Sequence, residues 1–215
     1  MSEVEIIKLL TMIIALVIAI VGHEIMHGWV AYRYGDDTAK SRGRLSPNPI
    51  KHIDPIGTIL VPAALYFSGA PFIFGWAKPV PININTVTRN GGTNAAVAVS
   101  LAGITYNFVL AAISAAIFPL FAHPDSALSA FIALLLYQSV IINVLLGIFN
   151  LWPIPPLDGA NAVRYLAQGW NLRGFTAFYD RVAPYGMLIL LAILFTPLSA
   201  YLFKPVVWIV NLLLG

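Results

Sequence analysis

The chain has 215 residues, of which 59% are hydrophobic and 10% charged, and its formal net charge is +3. Soluble domains carry about 25% charged residues, so the composition excludes an ordinary soluble domain and predicts an all-α, multi-pass membrane protein. Lys and Arg gather in the cytoplasmic loops of membrane proteins. The small basic surplus therefore indicates which loops lie in the cytoplasm and is poor evidence for a nucleic-acid site. We expect one membrane-embedded domain over 1–215, with a metal-site core at about 6–165 and a C-terminal span and tail at 184–215.

The first predicted span runs from 6 to 33 and carries His23, Glu24 and His27 near its end. Ionisable side chains inside an apolar span are costly and usually mark function. Two histidines four positions apart lie on one face of a helix, where both can reach a single ion. The pattern is the H-E-x-x-H of zinc hydrolases. The alternative is a pair of ordinary helix histidines beside a glutamate.

The loops predict how the chain crosses the membrane. Segment 34–55 has four Lys or Arg residues against three Asp, and 76–93 has Lys78 and Arg89 with no acid. Both loops are therefore expected in the cytoplasm, with the N-terminus outside the cell membrane and the metal site toward the cytoplasmic side. Segment 56–74 then begins and ends on one side, which predicts a re-entrant piece or a helical hairpin.

Residues 78–84 alternate in polarity and contain two prolines. This pattern suits a short extended, β-like piece at the edge of a sheet, to which an extended peptide could add as a strand. A stiff connecting loop is an equally good interpretation.

Two further spans are predicted at 93–121 and 126–152, and a fourth at 184–203. With the first span they make about four full transmembrane helices, each near or above the roughly 20 residues that cross the bilayer core. Between them, 160–183 carries three Arg residues and predicts an interfacial helix and a loop. The apolar tail 206–214 predicts a half-span or a surface helix.

The chain has no Cys, so a metal site must use His and carboxylate ligands. A catalytic zinc typically takes three protein ligands, yet His52 and His123 lie in loops on opposite sides of the predicted membrane. Asp158 alone among the carboxylates follows a hydrophobic span on the same side as the His pair, after a proline-rich stretch that cannot be helical. We expect Asp158 to be the third ligand. The alternative is that its carboxylate caps the following helix, and one oxygen cannot do both.

These residues predict a hydrolytic site inside the bilayer. Zinc lowers the pKa of bound water toward about 7, and Glu24 would take the proton and pass it to the leaving amine. Asn150 or Asn107 could hydrogen-bond a peptide carbonyl or the developing oxyanion. Asn107 could instead donate a hydrogen bond between helices. The expected substrate is a polypeptide that already lies in the membrane.

Three motifs resemble the site-2 protease family of intramembrane zinc metalloproteases. They are His23-Glu24-x-x-His27, the run Gly-Trp-Ala-Lys-Pro-Val-Pro at 75–81, and Asn150-x-x-Pro153-x-Pro155-x-x-Asp158-Gly159. The resemblance implies that His23, His27 and Asp158 bind one Zn²⁺, that Glu24 is the general base and that Asn150 helps to hold the substrate. It also implies cleavage of the transmembrane segment of a single-pass membrane protein, often after another protease has shortened it.

In bacterial relatives such cleavage commonly releases a membrane-bound regulator such as an anti-sigma factor. This chain is similar to a compact branch of the family, because no stretch is long or polar enough for a PDZ domain or paired CBS modules. The segment before Asn107 resembles the family's Gly-Pro-x-x-Asn pattern, with Ile104 where Pro is usual.

Two other functions fit parts of this pattern. A transporter could use the His, Glu and Asp side chains as a metal or proton pathway, with broken helices and re-entrant pieces. It predicts internal repeats, which the sequence does not show. A non-catalytic scaffold could bind helices without cutting them, but it would have no need for Glu24 as a base.

Overall fold

A computed structural model describes residues 2–69 and 75–215, and this part of the chain is helical without a β-strand. Both findings agree with the all-α prediction. The helices, in chain order, are α1 Glu3–Arg33, α2 Thr38–Ser41, α3 Val61–Phe67, α4 Ile84–Ile117, α5 Ala127–Leu151, α6 Asp158–Gly169, α7 Arg173–Val182, α8 Gly186–Leu194, α9 Leu198–Leu202 and α10 Lys204–Leu214.

Four helical stretches among the described residues are long and apolar enough to cross a membrane, which confirms the predicted number. They are Glu3–Arg33, Ile84–Phe121, Ala127–Leu151 and Arg173–Leu194. The fourth differs from the predicted bounds of 184–203. A 3₁₀ turn joins α7 to α8, so that this stretch starts earlier than predicted, and it stops at Leu194. Pro197 explains the early end, because proline lacks an N–H and disfavours helix in the residue before it.

Helices α1, α4 and α5 pack against one another and form the centre of the fold. Many of their buried contact positions are alanines, including Ala19, Ala31 and Ala111, each with no exposed surface. Small side chains let membrane helices approach closely. The outward face of α1 instead exposes large apolar residues such as Ile6, Leu10 and Ile13, as expected for a face that meets lipid.

Helix α4 is broken near its start. Gly92 has φ +67° and ψ −166° inside the range that otherwise reads as one helix. A positive φ is readily available only to glycine. The long apolar part of α4 therefore begins at about Thr93, as predicted, and 84–91 forms a separate initial turn that approaches the end of α1 through Val87.

The segment between α2 and α4 leaves the bundle and returns to the same place. A π-helical stretch, Pro55–Leu60, leads into α3, and the return arm starts at Gly75. Trp76 N donates to Gly57 O at 3.0 Å and Lys78 N donates to His52 O at 2.9 Å. The two arms are thus joined by backbone hydrogen bonds, and whether the segment is re-entrant or a helical hairpin stays a prediction. Residues 70–74 lie outside the described residues.

The short β-like piece predicted at 78–84 does not form a strand. Residues 75–83 have no helix or strand assignment, and α4 starts at Ile84. Its backbone is held by side chains and loop carbonyls instead of a neighbouring strand. Arg44 Nη2 donates to Lys78 O at 2.7 Å, and Asn83 N donates to the buried Asp36 carboxylate at 2.6 Å.

Candidate metal centre

His23 and His27 lie on one face of α1, where the helix contacts α4. Each residue is 7% exposed, and their Nε2 atoms are 3.0 Å apart. This spacing follows from the helix itself, because residues i and i+4 stand one above the other on the same face.

Asp158 completes the cluster from a distant part of the chain. Its Oδ2 atom lies 3.0 Å from His23 Nε2 and 3.1 Å from His27 Nε2. These three residues form the cluster of potential metal-binding side chains found in the described part of the chain.

Local structure around the prolines brings Asp158 inward. Helix α5 ends at Leu151, just before the proline-rich stretch, and α6 begins at Asp158 itself. The loop is anchored by Trp152 and Leu157, which form a buried cluster with Leu190 of α8. The Tyr179 hydroxyl of α7 also donates to Pro153 O. The first residue of α6 is therefore fixed opposite α1.

The Asp158 carboxylate does not cap helix α6. Leu157 occupies the N-cap position of α6, and no side chain caps the helix. The Asp158 carboxylate is directed at the two histidines instead. An ionised carboxylate in this position is the form that binds a cation.

The other ring nitrogens of the two histidines have protein partners. His27 Nδ1 donates to the backbone carbonyl of Val99 at 2.7 Å, and His23 Nδ1 lies 2.7 Å from Asn107 Oδ1. A carbonyl oxygen can only accept, so each Nδ1 carries the proton and each Nε2 keeps its lone pair. Metal-binding histidines usually have this second hydrogen bond, which fixes the ring and its tautomer.

The cluster fits a zinc ion in donor chemistry and in space. Two imidazoles and a carboxylate with one position left open are a common donor set for catalytic zinc. Ligands on one tetrahedral ion lie about 3.3 Å apart, close to the separations between these atoms. Gly103 of α4 faces the cluster, and a Cβ there would lie 2.5 Å from both His23 Nε2 and His27 Nε2. Only a residue without a side chain leaves these two nitrogens free.

Glu24 contacts the irregular segment before α4. Its Oε2 accepts a hydrogen bond from Val80 N at 2.8 Å. Gly28, one turn further along α1, makes this approach possible, because a Cβ at that position would lie 2.8 Å from Val80 Cγ1. The sequence pattern predicted a role for Glu24 but not this contact, which joins residues 56 positions apart.

The two candidate asparagines are placed differently. Asn150 is half-buried on the last turn of α5 and donates to Leu146 O at 3.0 Å, which occupies one of its two amide hydrogens. Asn107 has no exposed surface, and its Nδ2 donates to Ala19 O and to Asn143 Oδ1. The geometry at Asn107 favours the predicted alternative of a hydrogen bond between helices.

Sequence similarity to known proteins agrees with this site. The sequence model of peptidase family M50 matches residues 119–195, a range that includes Asp158. The chain is 38% identical to "Putative zinc metalloprotease YwhC" of Bacillus subtilis (strain 168) over 198 residues, which cover 90% of this chain and 84% of the relative. No solved structure shows a significant match.

More distant relatives carry the same description. "Putative zinc metalloprotease Rip2" of Mycobacterium tuberculosis (strain H37Rv) is 30% identical over 196 residues, covering 88% of this chain and 69% of the relative. The Rip2 protein of Mycolicibacterium smegmatis is 28% identical over 191 residues, covering 86% and 67%. These relatives give no support to the transporter alternative. The chain belongs to peptidase family M50, the site-2 protease family.

Proposed function

We propose that this protein is an intramembrane zinc metalloprotease that hydrolyses peptide bonds within or near transmembrane segments of membrane proteins. The observation that carries the proposal is the convergence of His23 Nε2, His27 Nε2 and Asp158 Oδ2 within about 3 Å of one another. Family membership supplies the reaction class, and the four apolar helical stretches support a position of the cluster within a membrane domain.

Each residue has a distinct proposed role. His23, His27 and Asp158 hold one Zn²⁺, and Glu24 is the general base. When bound, zinc supplies a Lewis acid and lowers the pKa of its water toward about 7. Glu24 removes the proton from the attacking water and delivers it to the leaving amine. Its hydrogen bond from Val80 N holds the carboxylate in one orientation while the second oxygen stays available for the proton.

Asn150 is proposed to help hold the substrate backbone. It lies on the last turn of α5, eight residues before Asp158, and one of its amide hydrogens is not used by the bond to Leu146 O. An amide N–H in this position can donate to a peptide carbonyl. The expected substrate is the transmembrane segment of a single-pass protein in the surrounding bilayer.

The whole chain is proposed to act as one domain, 1–215. Val206 of α10 belongs to the same buried cluster as Val140 and Val144 of α5 and Ala111 of α4. The C-terminal tail therefore packs on the helices that carry the site residues, and it contributes to their core.

Zinc-dependent cleavage tests the proposed function. The purified protein is expected to contain about one zinc per chain and to cut a reconstituted transmembrane peptide, with activity lost on chelation and restored by zinc. His23→Ala and Asp158→Ala should lose zinc and cleavage together, whereas His123→Ala, in the loop between α4 and α5, should keep both. Absence of zinc from protein purified without chelators would overturn the proposed zinc protease. Full zinc binding by Asp158→Ala, with only a lower melting temperature, would overturn the three-ligand site.

The orientation in the membrane is a second proposal. Basic residues in 34–55 and 76–93 support an external N-terminus and a metal site toward the cytoplasm. Because the chain has no Cys, single cysteines can report it. In intact cells, Ala122→Cys should react with a membrane-impermeant maleimide, whereas Ser41→Cys should react only after permeabilisation. The reverse labelling pattern would place the site toward the outside.

A further inference from the structure

The two histidines of the cluster fix their tautomers by different means. His27 Nδ1 uses the backbone carbonyl of Val99 directly. His23 Nδ1 uses a side-chain amide, Asn107 Oδ1. A carbonyl oxygen cannot donate, but an amide can rotate and present its NH₂ group instead. Whatever holds the Asn107 amide in place therefore decides the protonation of His23.

Asn107 is held by a second buried amide, from the third helix of the bundle. Its Nδ2 donates to Asn143 Oδ1 at 2.9 Å and to Ala19 O at 3.3 Å. The Asn143 amide is held in turn, because its Nδ2 donates to Ser139 O at 2.8 Å. Asn107 and Asn143 are both fully buried, so protein atoms supply all of these contacts.

The direction of this chain of hydrogen bonds is set by two backbone carbonyls, Ala19 O beside Asn107 and, with the shorter bond, Ser139 O at the far end. Ser139 O is a backbone carbonyl that only accepts, so the NH₂ group of Asn143 must face it and Oδ1 must face Asn107. Asn107 then has to present its own NH₂ group to Asn143, which leaves its Oδ1 toward His23. His23 Nδ1 must carry the proton, and Nε2 keeps its lone pair.

We propose that Asn143 is a positioning residue for the metal centre, which acts through Asn107 to keep His23 in the tautomer that binds zinc. The inference rests on the proposed function only in naming zinc as the ion. Without Asn143, Asn107 keeps only its longer bond to Ala19 O. A rotated Asn107 amide would donate to His23 Nδ1, favour the proton on Nε2 and so compete with the metal.

Zinc affinity of Asn143→Leu tests the proposal without using catalysis. Leucine has the same branching and the same number of side-chain heavy atoms but no polar atom, and loss of an outer hydrogen-bond partner typically weakens metal binding by about 10–100-fold. We expect a loss of that size in competition with a chromophoric chelator. Asn143→Ala should show the same loss, so a leucine variant that fails to fold does not end the test.

Ser139→Ala is the matched control, because Ser139 lies in the same polar network. Its hydroxyl bonds Ser114 Oγ at 2.9 Å and accepts a longer bond from Asn143 Nδ2 at 3.3 Å. The shorter bond from Asn143 Nδ2 to the Ser139 carbonyl, at 2.8 Å, sets the direction of the relay and stays in this variant. Ser139→Ala should lower thermal stability and leave zinc affinity within a factor of about two of wild type. Equal losses of affinity in Ser139→Ala and Asn143→Ala would instead indicate general damage to the bundle and would overturn the proposal.

The tautomer can also be read directly. The ¹⁵N chemical shifts of His23 in the metal-free wild type should show the proton on Nδ1, and in Asn143→Ala they should show a substantial population with the proton on Nε2. His27 should be unchanged in both, because Val99 O is not part of the relay. An unchanged His23 tautomer in Asn143→Ala contradicts the proposal, even if zinc binding supports the wider function.

Discussion

Replacing Glu24 by Gln is expected to leave zinc binding intact and to lower the rate of peptide hydrolysis by a factor of about 10²–10⁴, the usual contribution of a positioned general base. Glutamine has the same shape as glutamate, and its Oε1 can still accept the hydrogen bond from Val80 N. The amide cannot take up a proton at neutral pH. Fold, metal and loop contact should therefore survive while proton transfer is lost.

The measurement is the initial cleavage rate of a transmembrane peptide, made beside the zinc content of the same preparations. Glu5→Gln is a suitable control, because Glu5 belongs to the capping box at the start of α1, far along the helix from the cluster. A Glu24→Gln protein with one zinc and the wild-type rate would remove Glu24 from the role of base. A variant that loses its zinc would mean that Glu24 supports the metal rather than the proton.

The contact between Glu24 and Val80 gives the irregular segment 75–83 a definite place in the site. The sequence suggested an edge for strand addition or a stiff loop. In the structure the backbone of this segment instead forms hydrogen bonds with the side chains of Glu24, Arg44 and Asp36 and with the carbonyl of His52. The segment thus links the proposed base to the loop at His52, which comes earlier in the chain, and to the start of α4, which follows it.

The parts of the site that depend on one helix could be predicted from the sequence. His23, Glu24 and His27 are separated by fixed steps along α1, so the period of the helix alone puts the two imidazoles on one face. The four long apolar stretches likewise follow from composition and length. Asp158 needed a different argument, by elimination, because nothing local to it distinguishes a metal-facing carboxylate from a helix cap.

The parts that depend on contacts between helices could not be predicted in this way. Gly103 lies 80 positions from His23, Asn143 lies 120 positions from His23, and Val80 lies 56 positions from Glu24. Their importance comes only from how α1, α4 and α5 pack. An Asn in an apolar span can be recognised in the sequence as a candidate for a hydrogen bond between helices, but the sequence does not show which residue is its partner. The early end of α8 was predictable in principle, since Pro197 is visible in the sequence.

Replacing Gly103 by Ala is expected to remove zinc binding, and cleavage with it, although only one methyl group is added. The new Cβ would lie 2.5 Å from both His23 Nε2 and His27 Nε2, far inside the ordinary contact distance of about 3.5–4.0 Å between non-bonded atoms. The rings cannot simply move away, because each Nδ1 is held by a hydrogen bond of 2.7 Å. Either the rings give up these bonds or the helices separate, and both outcomes disperse the three ligand atoms.

Adding a methyl group could also affect the helix bundle in general, and this effect has to be distinguished from the local contact with the two histidines. Alanine is intrinsically better than glycine in a helix by about 1 kcal/mol, so Gly103→Ala loses zinc for a reason unrelated to helix propensity. Gly147→Ala on α5 is the matched control, because the atoms nearest to its Cβ, from 2.9 Å, would belong to the ring of Phe108 and not to the cluster. Zinc content and melting temperature of both variants decide the matter. Gly147→Ala should keep its zinc, and a Gly103→Ala protein with one tightly bound zinc would show that the ion does not sit between the two histidines and α4.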